Sequence, residues 1–199
     1  MTVAADKHAM RQVLKGRRAR LDEKNRAYAA LKLGGNVSAF FDSKRLPDTA
    51  TVGAYWPLRD EIDIRPALAA LMAQGAHVAY PCVHEDHHME FYYVPPAELD
   101  GELPPFIAQP ARSHPVSACE GYQLVAPDDL DALFVPALGF DRHKHRLGSG
   151  AGCYDRYLAR VPDKTLLIGV AFDEQLCDEV PVESHDRDMD FLITPSVII

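Results

Sequence analysis

Apolar runs of strand length alternate with segments of helical periodicity along most of the chain. The runs predicted to form buried strands lie at residues 51–55, 77–83, 132–135, 165–171 and 191–194. The segments predicted to form helices lie at residues 6–33, 65–74 and 154–161. Alternating strands and helices are typical of an α/β fold, so we expect three layers: a mainly parallel, twisted sheet with helices on both faces.

Two segments depart from this alternation. A strand-like run at 90–94 closely follows the run at 77–83, which predicts a hairpin. Cys82, His84, His87 and His88 could form a metal-binding tract there, but we interpret them as part of a solvated turn. Residues 95–115 are rich in proline and contain few pairs of apolar residues, so we expect an irregular surface excursion or a small subdomain there.

Composition limits the class of protein. The chain has 199 residues, of which 47% are hydrophobic and 25% charged, and we expect one domain spanning residues 1–199 with its own core. A formal net charge of −8 argues against a nucleic-acid partner. The sequence has no apolar stretch that predicts export or membrane insertion. We therefore expect a cytoplasmic monomer that acts on a small molecule.

The four cysteines are Cys82, Cys119, Cys153 and Cys177. Their spacing is too wide and uneven for a Cys-x-x-Cys zinc site, and it does not indicate a disulfide framework. We therefore expect reduced thiols without a shared role.

The segment 140–155 carries the densest concentration of chemically active residues. Gly148, Gly150 and Gly152 alternate there, so the main chain can adopt positive φ or approach a ligand closely, and its amide groups can converge on an anion. A predicted strand precedes this segment and a predicted helix follows it, which is where α/β proteins bind anionic ligands. The spacing also fits plain turns. It matches neither the P-loop nor the dinucleotide fingerprint, so any phosphate site here is of another kind.

Around these glycines the sequence resembles a known family. Residues 134–142, Phe-Val-Pro-Ala-Leu-Gly-Phe-Asp-Arg, and residues 146–156, Arg-Leu-Gly-x-Gly-x-Gly-x-Tyr-Asp-Arg, resemble the signature of the 5-formyltetrahydrofolate cyclo-ligases. The stretches 11–18, 56–63 and 180–186 stand in that family's order and spacing. The resemblance covers nearly the whole chain. It implies a Rossmann-like fold and the conversion of 5-formyltetrahydrofolate to 5,10-methenyltetrahydrofolate. Both the monoglutamate and polyglutamylated forms of the substrate are compatible with it. It also implies that ATP and Mg²⁺ are required, that ADP and phosphate are released, and that the formyl group is phosphorylated on the way.

The resemblance also implies a set of site residues. Those expected to bind ATP are Arg11, Lys15, Arg146, Leu147, Gly148, Ser149, Gly150, Ala151, Gly152, Cys153 and Tyr154. Those expected to bind the folate are Trp56, Glu61, Ser149, Gly150, Ala151, Gly152 and Cys153. Asp155 and Asp186 are expected to bind Mg²⁺, which prefers oxygen ligands. Arg146 and Lys15 are expected to be catalytic, by stabilising the negative charge that develops.

Taken singly, several of these residues also have plain structural interpretations. Arg11, Lys15 and Arg18 share one face of the first predicted helix, which is typical of a solvated face. Glu61 stands in an acidic run that is typical of a turn leading into a helix. The two aspartates are typical of a helix terminus and of a surface loop.

Three positions need separate interpretation. Arg11 and Lys15 stand in the order Arg then Lys, whereas the family has Lys then Arg, so the bidentate guanidinium would be exchanged. Cys153 stands where the family has a tyrosine, and we interpret it as a small packing residue rather than a thiolate. His185 is interpreted as a residue that supports the metal site without binding the ion, because imidazole is a poor ligand for Mg²⁺.

Two other classes of function stay open at this point. A sugar-phosphate isomerase or an acyl-transfer enzyme could use the same anion loop with Glu61 or Asp155 as a base, and it would not require ATP. A folate- or nucleotide-binding protein without activity would keep the glycines and Glu61 but would show no turnover.

Overall fold

The computed structural model describes residues 3–44, 46–86, 88–183 and 186–199. Its α-helices are α1 (Val3–Ala19), α2 (Glu23–Lys44), α3 (Arg65–Gln74), α4 (Pro96–Leu99), α5 (Pro105–Ala108) and α6 (Cys153–Leu158). Its strands are β1 (Thr51–Gly53), β2 (His77–His84), β3 (Met89–Tyr93), β4 (Ser113–His114), β5 (Gln123–Val125), β6 (Ala132–Pro136), β7 (Gly139–Asp141), β8 (Arg146–Leu147), β9 (Leu166–Val170), β10 (Leu176–Cys177) and β11 (Phe191–Ile193). None of the helices in these ranges has the apolar run that crossing a lipid bilayer requires.

A mainly parallel sheet forms the centre of the molecule. Within the described ranges it has eight strands, in the order β11, β9, β6, β1, β2, β3 and β5, with β4 paired to the end of β2. The strands from β11 to β2 are parallel, whereas β3 and β5 continue the sheet as an antiparallel edge. A second, three-stranded sheet is formed by β10, β7 and β8. The predicted α/β architecture is confirmed, and the predicted hairpin is formed by β2 and β3.

The two faces of the sheet are covered by different helices. Alternate residues of β6 point to opposite faces: Phe134 packs with α2 and α3, and Leu133 and Val135 pack with α6. The Phe134 ring stacks on Phe41 of α2 with their centroids 5.8 Å apart. Since β6 is buried on both faces, its sequence is a continuous apolar run rather than an alternating one.

The predicted single helix at 6–33 is wrong, because the chain forms two helices there. The break falls at residues 20–22, where the Asp22 side chain accepts a hydrogen bond of 2.7 Å from the Asn25 amide and so caps α2. From there α2 continues to Lys44 and buries Leu33 and Phe40 in the main core. The charged residues around the break have good helix propensity and hide it from periodicity.

The prediction for residues 95–115 also needs correction. Of the two predicted alternatives, an irregular surface excursion and a small subdomain, the first is wrong, because the segment forms α4, α5 and β4, and β4 pairs in parallel with the end of β2. Phe106 and Ile107 of α5 are almost fully buried in the main core. This apolar pair anchors the segment against the sheet, so that residues 110–113 form a wall beside the carboxyl ends of the strands.

Candidate active site

A cavity of about 490 Å³ lies at the carboxyl edge of the parallel strands. The chain leaves β1 at Gly53 and β6 at Pro136 along this edge, which is where open α/β sheets bind ligands. The predicted site residues that line it are Lys15, Trp56, Glu61, Arg146, Gly148, Ser149, Gly150, Ala151, Gly152, Cys153, Tyr154 and Asp155. Tertiary structure thus brings together segments that are more than a hundred residues apart along the chain.

Two of the three glycines are required by the geometry of the loop. Gly150 has φ 102° and Gly152 has φ 72°, both in the left-handed region that other residues avoid. A Cβ atom at Gly148 would lie 2.8 Å from a guanidinium nitrogen of Arg146, so a larger residue there would displace the end of that side chain. The helix that follows, α6, has only six residues, so its dipole adds less than the sequence suggested. Phosphate binding at this loop stays a prediction.

Arg146 and Asp155 form an ion pair on the cavity wall. The Arg146 side chain is almost fully buried and donates to Asp155 Oδ1, whereas Asp155 is half exposed to the cavity. The guanidinium carbon also lies 5.8 Å from the centre of the Tyr154 ring. The Arg146 side chain is therefore held in place by its ion pair with Asp155 and by its contact with the Tyr154 ring.

Two residues predicted to bind ATP lie behind the loop rather than among the described lining residues. Arg11 Nε donates a hydrogen bond of 3.0 Å to the Gly148 carbonyl, and the guanidinium lies beside Gly150. The Leu147 side chain is buried with Leu14 and Leu138. A contribution of Leu147 to nucleotide binding would therefore come from its main chain.

Asp186, the second predicted metal ligand, lies against a buried lysine. Lys7 is 6% exposed, and its Nζ donates to Asp186 Oδ2 at 2.6 Å and to Glu183 Oε2 at 2.8 Å. Burial alone would lower the pKa of Lys7, but the two carboxylates outweigh it and raise that pKa above its ordinary value. Asp186 is not among the described residues that line the cavity. His185 lies outside the described residues, so its predicted role is not addressed.

Lys7 is a candidate that the sequence analysis missed. It precedes Arg11 by four residues on α1, so Lys7, Arg11 and Lys15 lie along one face of the helix. The pair Lys7 and Arg11 also stands in the order Lys then Arg that the resemblance requires. The signal that could have identified Lys7 was therefore the four-residue spacing of Lys7 and Arg11, one helical turn before the pair Arg11 and Lys15 that we selected.

The other part of the cavity is apolar and acidic. Glu61 Oε2 accepts a hydrogen bond of 2.9 Å from the Leu58 amide. Burial raises the pKa of the Glu61 carboxyl, while the Leu58 amide and the positive charge of Arg18 act in the opposite direction. The Trp56 ring packs edge-on against Tyr80 with their centroids 5.7 Å apart. A flat ring and a carboxylate that accepts hydrogen bonds thus lie in one space.

Two polar atoms of cavity-lining residues have unused hydrogen-bonding capacity. Within the described part of the chain, Arg18 Nε and the Tyr154 hydroxyl are buried and make no hydrogen bond. Arg18 also pairs with Asp60. The interpretation of Arg18 as part of a solvated face is therefore wrong, since its side chain is buried at the cavity. Buried polar atoms are normally hydrogen-bonded, so these two atoms are exceptions in the wall of the cavity.

The histidine-rich hairpin differs from the prediction, whereas the four cysteines are free thiols as predicted. His84 is buried and lies near Cys82, whereas His88 is exposed and contacts Glu90. The solvated-turn prediction is therefore wrong for His84; His87 lies outside the described residues. Cys153 Sγ lies 3.8 Å from a guanidinium nitrogen of Arg156 and contacts the core cluster beside α6.

Comparison with known proteins gives a consistent result. The sequence profile of the 5-formyltetrahydrofolate cyclo-ligase family matches residues 3–195. A 5-formyltetrahydrofolate cyclo-ligase of Mus musculus is 29% identical over 201 residues, which cover 96% of this chain and 94% of the relative. A 5-formyltetrahydrofolate cyclo-ligase of Mycoplasma genitalium is 25% identical over 189 residues, which cover 94% of this chain and 97% of the relative. The NMR structure of Aquifex aeolicus 5,10-methenyltetrahydrofolate synthetase superposes with a TM-score of 0.75 at 29% identity, covering 96% of this chain and 91% of that chain.

Proposed function

The chain belongs to the 5-formyltetrahydrofolate cyclo-ligase family, and we propose that its cavity closes 5-formyltetrahydrofolate to 5,10-methenyltetrahydrofolate at the expense of ATP. The observation that carries this proposal is that one cavity combines Trp56 and Glu61 with the glycine loop and Arg146. A pterin needs a flat apolar surface and a hydrogen-bond acceptor, because its ring NH and amino groups are donors. A triphosphate needs converging amide groups and cations.

The proposed reaction has two steps. The formyl oxygen attacks the γ-phosphorus of ATP, and ADP leaves. N10 of the folate then attacks the activated formyl carbon, and phosphate departs with the former formyl oxygen while N10 loses its proton to solvent. The protein forms no covalent bond, so its contribution is positioning and charge neutralisation.

Each part of the cavity has a task in this scheme. Glu61 and Trp56 fix the pterin, which sets the position of the formyl group. Arg146 and Lys15 neutralise the charge that develops on the transferred phosphoryl group. Arg11 holds the loop through the Gly148 carbonyl and keeps a positive charge beside it.

The residues at the predicted metal site fit Mg²⁺. Asp155 and Asp186 supply carboxylate oxygens, which are the ligands that this ion prefers. Each carboxylate also pairs with a cation in the free protein, Arg146 for Asp155 and Lys7 for Asp186, so each would share its charge between that side chain and the ion. When bound there, Mg²⁺ would neutralise phosphate oxygens of the nucleotide. We add Lys7 to the predicted ATP site because it pairs with Asp186 and lies one helical turn before Arg11, whose guanidinium contacts the glycine loop.

A single assay tests the function. Purified protein is mixed with 5-formyltetrahydrofolate, ATP and Mg²⁺, and the absorbance of the methenyl product is followed. We expect product only when all three are present. Turnover of a sugar phosphate or an acyl donor without ATP would support the isomerase or acyl-transfer alternative. Calorimetric binding of folate or ATP without turnover would support the binding protein.

Arg112 gives a more detailed prediction about the substrate. This exposed side chain belongs to the wall formed by residues 110–113, and folates carry glutamate carboxylates opposite the pterin. We propose that Arg112 pairs with those carboxylates, so Arg112→Gln should raise the KM for a polyglutamyl substrate several-fold more than that for the monoglutamate. The matched control is Lys164→Gln, an exposed cation before the amino end of β9, at the opposite edge of the sheet. Equal changes in both KM values would remove Arg112 from this role and leave the cyclo-ligase assignment intact.

The cytoplasmic location and the monomeric state stay predictions from the sequence. Neither one enters the proposed reaction. Light scattering during size-exclusion chromatography tests the second directly.

A further inference from the structure

Three metal-ligating side chains meet in the core, away from the catalytic cavity. Cys82 and His84 are two residues apart on β2 and point to the same face of the sheet. Cys119 ends the 3₁₀ helix Val116–Cys119, which packs against that face. The three are 0%, 8% and 4% exposed, and one potential ligand atom from each lies within 4.8 Å of the others.

The hydrogen bonds within this cluster are long or involve sulfur. His84 Nδ1 lies 3.9 Å from Cys82 Sγ and 3.3 Å from the His114 carbonyl oxygen, and its Nε2 lies 3.3 Å from the Tyr92 hydroxyl. The two contacts to oxygen are slightly longer than the 2.7–3.2 Å of a good N–H···O bond, and the contact to sulfur is of the weak kind that thiols make. Free thiols are commonly buried, so burial alone does not call for a ligand; the distinctive feature is that two sulfur atoms and an imidazole nitrogen lie within reach of one ion.

We propose that Cys82, His84 and Cys119 bind one Zn²⁺ ion. Two sulfur atoms and an imidazole nitrogen are the donors that zinc prefers, and they do not suit Mg²⁺. In a tetrahedral zinc site, with bonds of about 2.3 Å to sulfur and about 2.1 Å to nitrogen, ligand atoms lie about 3.6–3.8 Å apart. The 3.9 Å between Cys82 Sγ and His84 Nδ1 is already close to that value. Cys119 Sγ needs to move by about 1 Å at most.

The surroundings of His84 are consistent with this geometry. If Nδ1 binds zinc, Nε2 carries the proton and donates to the Tyr92 hydroxyl, which fixes the ring as in other histidine metal sites. The His114 carbonyl oxygen, on the Nδ1 side, is placed to supply the fourth ligand. The ion would be structural, because no described residue of the cluster lines the catalytic cavity.

The zinc would fix one wall of the cavity. Cys119 and His114 belong to the segment that packs onto β2. In this segment β4 pairs Ser113 with Val83 of β2, and both of these residues line the cavity. A metal that ties this segment to Cys82 and His84 would hold the 110–113 wall in place. The proposal does not depend on the reaction catalysed there.

The test uses the full-length protein refolded from denaturant with Zn²⁺, or with Co²⁺ as a spectroscopic probe, because the cluster is buried. We expect one Zn²⁺ per chain by elemental mass spectrometry, and thiolate-to-Co²⁺ charge-transfer absorption of a tetrahedral site. With Zn²⁺ at 100-fold its Kd, Tm should rise by roughly 5–10 °C. Cys119→Ala and His84→Gln should abolish these signals. The matched control is Cys177→Ser, outside the cluster, which should retain them.

Three results would overturn the proposal. Wild-type protein with free thiols that takes up no Zn²⁺ or Co²⁺ on refolding would show a purely hydrogen-bonded cluster. Metal that binds Cys119→Ala as tightly as wild type would belong to another site. A Cys82–Cys119 disulfide found by peptide mapping of freshly purified, alkylated protein would indicate a redox pair instead.

Discussion

Lys7 allows the most direct test of the ion pairs around Asp186, the second predicted metal ligand. We consider Lys7→Met, because methionine keeps an unbranched apolar side chain of similar reach and removes only the ammonium group. In the native structure that group contacts Asp186 at 2.6 Å and Glu183 at 2.8 Å. The substitution leaves two adjacent carboxylates without this shared cation.

The magnitude follows from the burial of the three groups. The Lys7 side chain is 8% exposed, Asp186 is 17% exposed and Glu183 is 42% exposed. Removing one partner of a buried ion pair costs about 3–5 kcal/mol, whereas an exposed pair contributes at most about 1 kcal/mol. Since Asp186 is nearly buried and Glu183 is well solvated, we expect a loss of about 2–4 kcal/mol. For a chain of this length the corresponding decrease in Tm is roughly 5–12 °C.

The assay compares wild type, Lys7→Met and Lys7→Arg by thermal unfolding with and without Mg²⁺, in the absence of ATP. Lys7→Arg is the matched control because it keeps the charge, and it should retain most of the stability. If Asp186 binds Mg²⁺, removing the neighbouring ammonium makes the site more negative, so Mg²⁺ should raise the Tm of Lys7→Met more than that of wild type.

Two outcomes would refute this reasoning. A loss of less than 1 kcal/mol in Lys7→Met would mean that solvent already screens the contacts with the carboxylates. An equal response of both proteins to Mg²⁺ would remove Asp186 from the metal site, while leaving the measured stability of the ion pair unaffected.

Three further predictions concern the cavity. Asp155→Asn should reduce kcat by at least tenfold with an unchanged far-ultraviolet spectrum, because it removes an oxygen charge from both Mg²⁺ and Arg146; wild-type turnover would exclude Asp155 as a ligand. Glu61→Gln should weaken folate binding by ~1–3 kcal/mol and raise the folate KM correspondingly, with the ATP KM unchanged. Because burial raises the folded-state pKa of Glu61 above its unfolded value of roughly 4.3, the ionised carboxyl costs stability above that pH; the variant should therefore melt slightly higher at neutral pH. As pH falls through the raised pKa, the wild-type folate KM should increase while that of the variant stays flat. Gly150→Val should weaken ATP binding in calorimetry more than it lowers Tm, because a β-branched residue at φ 102° strains the turn by about 1–3 kcal/mol; normal ATP affinity would reduce the loop to a turn.

Much of the fold could be predicted because strands buried on both faces are apolar over their whole length. This is why β6 and β9 were found from the sequence, and why the glycine loop between β8 and α6 could be placed at the carboxyl edge of the sheet. The break before α2 was missed because it depends on the single cap at Asp22, in a stretch whose other residues favour helix.

The residues of the site divide in the same way. The sequence by itself determined the glycines and, through its motifs, the family, because a turn of positive φ and the spacing within a motif are properties of a short segment. Only the tertiary structure placed Lys7 against Asp186, 179 residues away, buried Arg18 at the cavity, and brought Cys119 to Cys82 and His84. Periodicity reports which face of an element is buried, but it does not report which distant side chain lies opposite. Which distant side chains meet depends on strand register and on how the helices and the loops between them pack onto the sheet.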